Sequence, residues 1–217
     1  MTISDKLAKK LEQGREYRNT FAIEVRAAEE AKENDYTVKG YATTFNEPYL
    51  LYDWGDYKVY EQIDARAFDD CDMTDVIMQY DHSGRVFART SNETLQLRTD
   101  SHGLYIEADL GGTEAGRALY EEIKGGYTTK MSFGFIVAED KREVINDREN
   151  KVTTVNRTIT KISKLFDVSA VSLPANDGTD ISARKFGEGV IAELKAERQR
   201  AEEIEMQKQK IRILGGF

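Results

Sequence analysis

Lys130-Met131-Ser132-Phe133-Gly134-Phe135 is a candidate β-strand with a serine near its centre. Side chains alternate between the two faces of a strand, so Met131 and Phe133 share an apolar face. Ser132 and Gly134 share the other face, where a glycine leaves room for another backbone to approach the hydroxyl. The strand alone leaves two interpretations open: Ser132 is a nucleophile, or it is an exposed hydroxyl on a half-buried strand.

The composition fits one globular domain, or one domain with extended arms. Of the 217 residues 40% are hydrophobic, which is enough for a core, and the formal net charge is −8. No basic field would attract phosphates, so the charge argues against a dedicated nucleic-acid-binding protein. Cys71 is the single cysteine and there are two histidines. We therefore expect no disulfide framework, no structural metal site and no cofactor.

Neither a membrane segment nor a secretory signal is expected. No apolar run approaches the ~20 residues that a membrane span needs. Residues 1–6, Met-Thr-Ile-Ser-Asp-Lys, lack the apolar region of a secretory signal. We expect a protein that is made and used in the cytosol, without a membrane partner.

Short alternating segments in the middle of the chain predict many strands and few helices. The predicted strands cover residues 21–26, 36–45, 57–63, 76–80, 86–90, 95–99, 104–110, 130–137, 158–173 and 181–184. Thr113 and Gly125 cap a predicted amphipathic helix, a second short helix is predicted at 65–71, and residues 49–55 form an aromatic loop. Because strands and helices do not alternate, we expect a mostly antiparallel barrel or sandwich.

The two ends of the chain differ in composition from the middle. Residues 1–20 are charged, with Leu7 and Leu11 spaced four apart, which predicts a helical arm with a thin apolar stripe. From Gly187 onward Glu, Lys, Arg, Gln and Ala predict a charged helix that projects from the domain or binds a partner. The predicted units are therefore an N-terminal arm (1–20), a β-rich domain (21–185) and a C-terminal tail (186–217).

A base is needed before a serine hydroxyl becomes a good nucleophile, and histidine has a suitable pKa. His82 follows an apolar run at a tight turn, from which its side chain can lean over a neighbouring strand. His102 lies in Asp-Ser-His-Gly, an ordinary hairpin-turn composition. We take His82 as the candidate base, although a structural role for either histidine remains open.

An acid that orients the histidine completes this chemistry. Asp167 lies in an otherwise apolar run, where an aspartate is costly to bury unless it is paired. Asp81 is less suitable because adjacent strand residues point to opposite faces. The alternative for Asp167 is a structural carboxylate satisfied by backbone, Arg or Lys donors. The Ser132 strand also lacks the G-x-S-x-G turn of α/β hydrolases, which excludes that family.

Five short motifs follow one another between residues 20 and 185. They are Lys39-Gly40-Tyr41-Ala42-Thr43-Thr44-Phe45-Asn46, Tyr80-Asp81-His82 with Gly84-Arg85, the hairpin of residues 95–110 with Gly103-Leu104, Met131-Ser132-Phe133-Gly134-Phe135, and Leu165-Phe166-Asp167-Val168-Ser169-Ala170-Val171-Ser172-Leu173-Pro174-Ala175. Each motif alone is weak. Together and in this order they resemble the prohead maturation proteases of tailed bacteriophages.

The resemblance implies both a fold and an activity. These proteases are related in fold to the herpesvirus assembly proteases, which implies a mainly β fold with helices, a closed antiparallel β-barrel with helical N- and C-terminal arms. The implied activity is that of a serine endopeptidase inside the immature prohead in the host cytoplasm. It would cleave scaffold or the scaffold-like arm of the major capsid protein, and often itself.

Carried over by position, His82 matches the family's histidine, Ser132 its serine, and Asp167 an acidic position. The herpesvirus relatives have a histidine as third member, and this sequence has none after His102. Asp-Ala-Arg-Ala-Phe at 64–68 replaces the usual Gly-Ala-Phe, and Val-Phe-Ala-Arg-Thr at 86–90 replaces Leu-Gly-Arg-Thr. We interpret both departures as changes in residues that support the fold, not as losses of residues that carry the chemistry.

The implied partners are the major capsid protein and scaffold, with self-association as a dimer by analogy with the herpesvirus relatives. An oxyanion hole is not located by the sequence; Gly178 and residues 183–184 are candidates. Two alternatives remain open at this point. The chain is a non-catalytic β-rich capsid or tail module in which Ser132 and His82 do not meet, or it is an esterase.

Overall fold

A computed structural model of the chain describes residues 12–20, 26–27, 35–171 and 177–215. In chain order the strands are β1 (Glu16–Thr20), β2 (Arg26–Ala27), β3 (Thr37–Thr44), β4 (Tyr49–Asp53), β5 (Tyr57–Ile63), β6 (Ile77–Tyr80), β7 (Ser83–Arg89), β8 (Leu95–Thr99), β9 (Gly103–Asp109), β10 (Lys130–Asp147) and β11 (Val152–Val171). The helices are α1 (Glu114–Lys124) and α2 (Asp177–Gly215), and a 3₁₀ turn spans Thr90–Asn92.

The strands form two sheets that share one hydrophobic core. The larger sheet has the order β1-β10-β11-β5-β4, with β6 also paired to β11 and β7 paired to β6. The smaller sheet has the order β2-β3-β9-β8. Apolar side chains of both sheets meet in the core, among them Val38, Leu104 and Ile106 from the smaller sheet and Phe133 and Val168 from the larger.

A long hairpin of β10 and β11 organises the larger sheet. The two strands pair antiparallel from Lys130, opposite Val171, to Asp147, opposite Val152. The charged residues 138–156 form the outer half of these two strands and the turn between them. On its other edge β11 pairs in parallel first with β5 and then with β6.

The closed antiparallel β-barrel expected for this chain is wrong. In the described residues neither sheet closes on itself, and the fold is a mixed β and α arrangement of two sheets and two helices. The reason lies in β11, whose 20 residues offer an edge long enough for two separate strands. Because β5 and β6 both run parallel to β11, the sheet is also not antiparallel throughout.

Several local predictions are confirmed and several are wrong. Strands at 36–45, 57–63, 76–80, 86–90, 95–99, 104–110 and 130–137 are confirmed, with bounds shifted by a few residues. Residues 16–20 form β1 rather than a helix, residues 65–70 form successive turns, residues 49–53 form β4, and residues 181–184 belong to α2. Residues 1–11 of the predicted arm and 21–25 of the first predicted strand lie outside the described residues.

Helix α1 is confirmed together with both of its ends. The Thr113 side chain accepts a hydrogen bond from the Gly116 backbone N–H, which satisfies one of the free donors at the helix start. Leu119, Tyr120 and Ile123 are buried on the face that contacts the core. Gly125 ends the helix and donates its backbone N–H to Glu121.

Helix α2 packs on the larger sheet near its start and is exposed further on. Val190 is buried in a small cluster with Val59 of β5 and Val155 of β11. From residue 201 to residue 213 every side chain is exposed. The described helices include none with the length and apolar character needed to cross a membrane.

Two glycines inside helices should respond oppositely to alanine. A Cβ at Gly116 would lie 2.2 Å from the Leu110 backbone oxygen, whereas a Cβ at Gly189 meets nothing within 4 Å. We expect Gly189→Ala to raise the free energy of unfolding by about 0.5–1 kcal/mol through helix propensity. Gly116→Ala should lower it by about 1–3 kcal/mol, since the clash is with backbone. Urea denaturation of both variants tests this, and stabilisation by both would contradict the close approach at Gly116.

Candidate active site

Ser132 lies on β10 between two neighbouring strands. Its Cα is opposite Ser169 of β11 on one side and Asn19 of β1 on the other. The side chain is fully buried, at 0% exposure, and its Oγ donates a hydrogen bond to the Arg18 backbone oxygen at 3.0 Å. The alternation predicted for this strand holds, but the serine face is covered by protein rather than exposed.

His82 reaches Ser132 from the two-residue turn between β6 and β7. Tyr80 and Ser83 pair across this turn, and both turn residues have positive φ, 47° at Asp81 and 54° at His82. Such turns usually carry Asn-Gly because positive φ is unfavourable for residues with a Cβ. Residues with a Cβ that are held at positive φ often mark a functional site, because the surrounding structure must impose this unfavourable conformation. Here the Asp81 backbone N–H is fixed to the Ala170 oxygen of β11 at 3.0 Å.

Asp167 lies on β11, opposite Gly134 of β10 and Ile77 of β6. One of its carboxylate oxygens, Oδ1, is hydrogen-bonded to His82 Nδ1. The same oxygen accepts a hydrogen bond from Ser169 Oγ at 2.9 Å. The acid at the Nδ1 side of the ring is thus Asp167, and its burial, at 1% exposure, is offset by these polar partners.

The three side chains form one hydrogen-bonded series. His82 Nε2 lies 2.5 Å from Ser132 Oγ, and His82 Nδ1 contacts Asp167. The sheet explains this convergence: β10 and β6 pair with opposite edges of the same part of β11. The structure therefore brings together the three residues that the sequence singles out. His102 lies apart, exposed in the β8–β9 turn with its ring against Tyr41.

Tyr17 of β1 covers the imidazole from the side. Its ring centre lies 4.5 Å from that of His82, with the rings inclined at 61°. Burial, with a further contribution from the Asp167 carboxylate, raises the pKa of the Tyr17 hydroxyl to about 12. Tyr17 is therefore a neutral cover over the histidine at all physiological pH values.

Gly134 leaves room for both Asp167 and Tyr17. A Cβ at this position would lie 2.5 Å from Asp167 Oδ2 and 2.6 Å from Tyr17 Cε1. Contacts this short do not occur between real Cβ atoms and their neighbours, so a larger residue must displace one of the two groups. The space that this glycine leaves is thus filled by two side chains, the carboxylate and the tyrosine ring, rather than by the backbone that the sequence predicted.

A buried charge cluster adjoins the site, and the sequence analysis did not identify it. Glu61 of β5 lies between Arg18 of β1 and Arg157 of β11, with Tyr49 donating its hydroxyl to Glu61 Oε1 at 2.5 Å. Glu16 pairs with both arginines. Burial alone would raise the pKa of Glu16, but the neighbouring Arg18 and Arg157 outweigh it and lower the pKa to about 2.

The sequence does carry a signal for this cluster. Glu61 lies in the same alternating phase of its strand as Val59 and Ile63, which are buried. Arg157 is likewise in phase with Val155 and Ile159. A charged residue in the inward phase of a strand requires a buried partner of opposite charge.

The residues considered for an oxyanion hole lie in a helix. Gly178 and residues 183–184, the candidates for an oxyanion hole, belong to helix α2. Within the described part of the chain, no group of three or more His, Cys, Asp or Glu side chains is arranged to hold a metal ion.

A serine, a histidine and a carboxylate bonded in series on a β-rich framework define the arrangement of a serine hydrolase. Residues 21–190 match the family model of the caudovirus prohead serine proteases, and the chain belongs to that family. The family acts as proteases in phage maturation, in association with capsid proteins inside the prohead in the host cell. Searches of the curated proteins and of the solved structures found no match.

Gly134→Ala should disturb the carboxylate more than the fold. The added methyl group must push Asp167 or Tyr17 aside, and we expect a loss of about 1–3 kcal/mol in the free energy of unfolding. Loss of the proton NMR signal of the His82 Nδ1–H would report displacement of Asp167. Gly112→Ala is the control, because a Cβ there meets nothing within 4 Å. An unchanged Nδ1 signal in Gly134→Ala would contradict the role assigned to this glycine.

Proposed function

We propose that this chain is a serine endopeptidase of the immature prohead. It cleaves scaffold or the scaffold-like arm of the major capsid protein, and its own chain, with Ser132 as nucleophile, His82 as general base and Asp167 as the residue that orients His82. The observation that carries the proposal is the hydrogen-bonded series from Ser132 Oγ through the imidazole to Asp167. Membership of the prohead protease family supports a protein substrate of the prohead.

The reaction is acyl transfer in two steps. Ser132 Oγ attacks the carbonyl carbon of the scissile peptide bond while His82 Nε2 takes the hydroxyl proton. The carbon–nitrogen bond then breaks, the leaving amine receives that proton from His82, and an ester to Ser132 remains. Water, deprotonated by His82, hydrolyses the ester and regenerates the hydroxyl.

Asp167 and Ser169 fix the histidine for this sequence of proton transfers. The carboxylate accepts a hydrogen bond from His82 Nδ1–H, which keeps the proton on Nδ1 and leaves Nε2 without a proton and able to act as base. It also stabilises the imidazolium that forms when the serine proton is transferred. Ser169 Oγ, bonded to the same carboxylate oxygen at 2.9 Å, holds the carboxylate in place.

Substitution of the three residues tests the mechanism. Ser132→Ala and His82→Ala should fold and abolish cleavage, while Asp167→Asn should lower kcat by about 10⁴-fold because the wrong tautomer is favoured. The measurement is the mass of the products after co-expression with the capsid protein and scaffold. His102→Ala is the matched control and should process normally, since His102 is exposed in a turn of the smaller sheet whereas Ser132 lies in the larger one. Processing by the Ser132→Ala variant would contradict this mechanism and favour the alternative, a non-catalytic structural module.

The exposed end of α2 is the part that we assign to association with scaffold or shell. Phe186 stacks 3.9 Å from the guanidinium of Arg157, and Val190 packs on the sheet, so the beginning of the helix belongs to the folded domain. Beyond residue 200 the helix is exposed and carries Ile204, Met206, Ile211 and Ile213. These side chains are available to a partner, whereas Val190 and Ile191 in the preceding turns are buried.

Removal of residues 201–217 should separate packaging from catalysis. We expect the shortened chain to cleave peptides at the same rate in solution, because the side chains of residues 201–213 are all exposed. Its incorporation into proheads should fall several-fold, measured by the amount of protease in purified particles. The control is a full-length chain with Lys195→Gln, which removes a charge from α2 outside the deleted segment. Normal packaging of the shortened chain would refute the role of the tail.

A further inference from the structure

Strand β1 is attached to the site in the way that a bound peptide would be. It pairs antiparallel with β10 at the edge of the sheet, with Asn19 opposite Ser132 and Arg18 opposite Phe133. The Arg18 backbone oxygen accepts the hydrogen bond of Ser132 Oγ at 3.0 Å. Peptides commonly bind by adding a strand to a sheet edge, and here the edge belongs to the strand that carries the candidate nucleophile.

We propose that β1 occupies the groove for substrate peptides, and that Glu61 makes this groove specific for arginine at the residue whose carbonyl faces Ser132. This inference rests on the proposed endopeptidase function. The substrate it implies is an extended peptide segment with an arginine immediately before the bond that is cut.

The side chain of Arg18 is held as a specificity pocket would hold a substrate side chain. It is 1% exposed, and its Nε and Nη2 donate to the two oxygens of Glu61 at 2.5 and 2.9 Å. Two parallel bonds of this kind match the planar fork of a guanidinium, which a lysine ammonium cannot reproduce. The pocket is therefore built for arginine in particular rather than for any cation.

Glu61 would lose this bidentate partner whenever β1 left the groove. Tyr49, which donates at 2.5 Å, and Arg157 Nη1, at 2.8 Å, would remain beside the carboxylate. A buried carboxylate that has lost a charged partner is costly, so a substrate without arginine is penalised more than simple loss of contact would suggest. The pocket thus selects arginine, because any other substrate side chain leaves Glu61 incompletely paired.

The hydrogen bond from Ser132 to Arg18 also affects the nucleophile. A hydroxyl has one hydrogen, and while Ser132 Oγ donates it to the Arg18 oxygen it cannot donate it to His82 Nε2. Cleavage of a peptide bound in this way requires that the hydrogen turn from the carbonyl oxygen to His82 Nε2. In this arrangement β1 fills the groove as an intramolecular competitor, and substrate must replace it.

Peptides derived from β1 test the specificity. The probe is a decapeptide with the sequence of residues 14–23, Gly-Arg-Glu-Tyr-Arg-Asn-Thr-Phe-Ala-Ile, offered to the full-length chain. Its two comparison peptides carry alanine or lysine in place of the second arginine. We expect cleavage between Arg and Asn, with kcat/KM at least about 100-fold above that of the alanine peptide and with lysine intermediate.

Variants of the chain locate the source of this preference. Glu61→Gln should reduce the ratio of arginine to alanine peptide cleavage to within a few-fold, because the charge and one acceptor are lost. The matched control Glu107→Gln, an exposed acid on the smaller sheet, should keep the wild-type ratio. Arg18→Ala should increase cleavage of the added peptide, since β1 then loses its hold on Glu61.

A serine-directed fluorophosphonate separates failure of this inference from failure of the proposed function. Labelling of Ser132 should be slowed more by the arginine peptide than by the alanine peptide, which tests the pocket even where turnover is slow. Cleavage or protection that is equal for the two peptides would overturn the arginine pocket and leave the endopeptidase intact. Absence of both labelling and cleavage, in the wild type and in Arg18→Ala, would overturn both.

Discussion

The candidate site depends on the pairing of β11 with strands on both of its edges. On one edge the antiparallel partner β10 sets Gly134 opposite Asp167 and Ser132 opposite Ser169. On the other edge the parallel partner β6 ends at Tyr80, opposite Ala170, so that the following turn lies beside the same part of β11. Since register in a sheet is fixed in steps of one residue, a slip of either pairing would separate the imidazole from the hydroxyl or the carboxylate.

Two groups of buried polar side chains lie on this framework, and both are stable only as groups. Asp167 is satisfied by His82 and Ser169, and Glu61 by Arg18, Arg157 and Tyr49. Removing one member of such a group leaves an incompletely paired charge, which costs more than the interaction itself is worth. β1 contributes to both groups, because the Tyr17 ring packs against His82 and the Arg18 guanidinium is hydrogen-bonded to Glu61.

The sequence was sufficient for most of the strands, for α1 and for the identity of the three residues that converge. Alternation and capping are local signals, and Thr113, Gly125 and residues 57–63 carried them clearly. The parallel pairing of β11 with β5 and β6 was not predictable, because register between distant strands leaves no local pattern. Residues 16–20 were misassigned for a related reason: their extended form depends on the edge of β10. The catalytic roles of Ser132, His82 and Asp167 stay a prediction.

The position of β1 links the geometry of the site to the timing of its activity. Because β1 belongs to the same chain, it would compete with substrate at an effective concentration on the order of millimolar. Dilute substrate would therefore rarely displace it, whereas substrate confined with the protease at a comparable concentration would. Mass action alone would then favour exchange inside the particle, without any separate activating factor. The same exchange would place the carbonyl of the substrate arginine where the Arg18 carbonyl now faces Ser132, so that the competitor is replaced by a bond that the serine can attack.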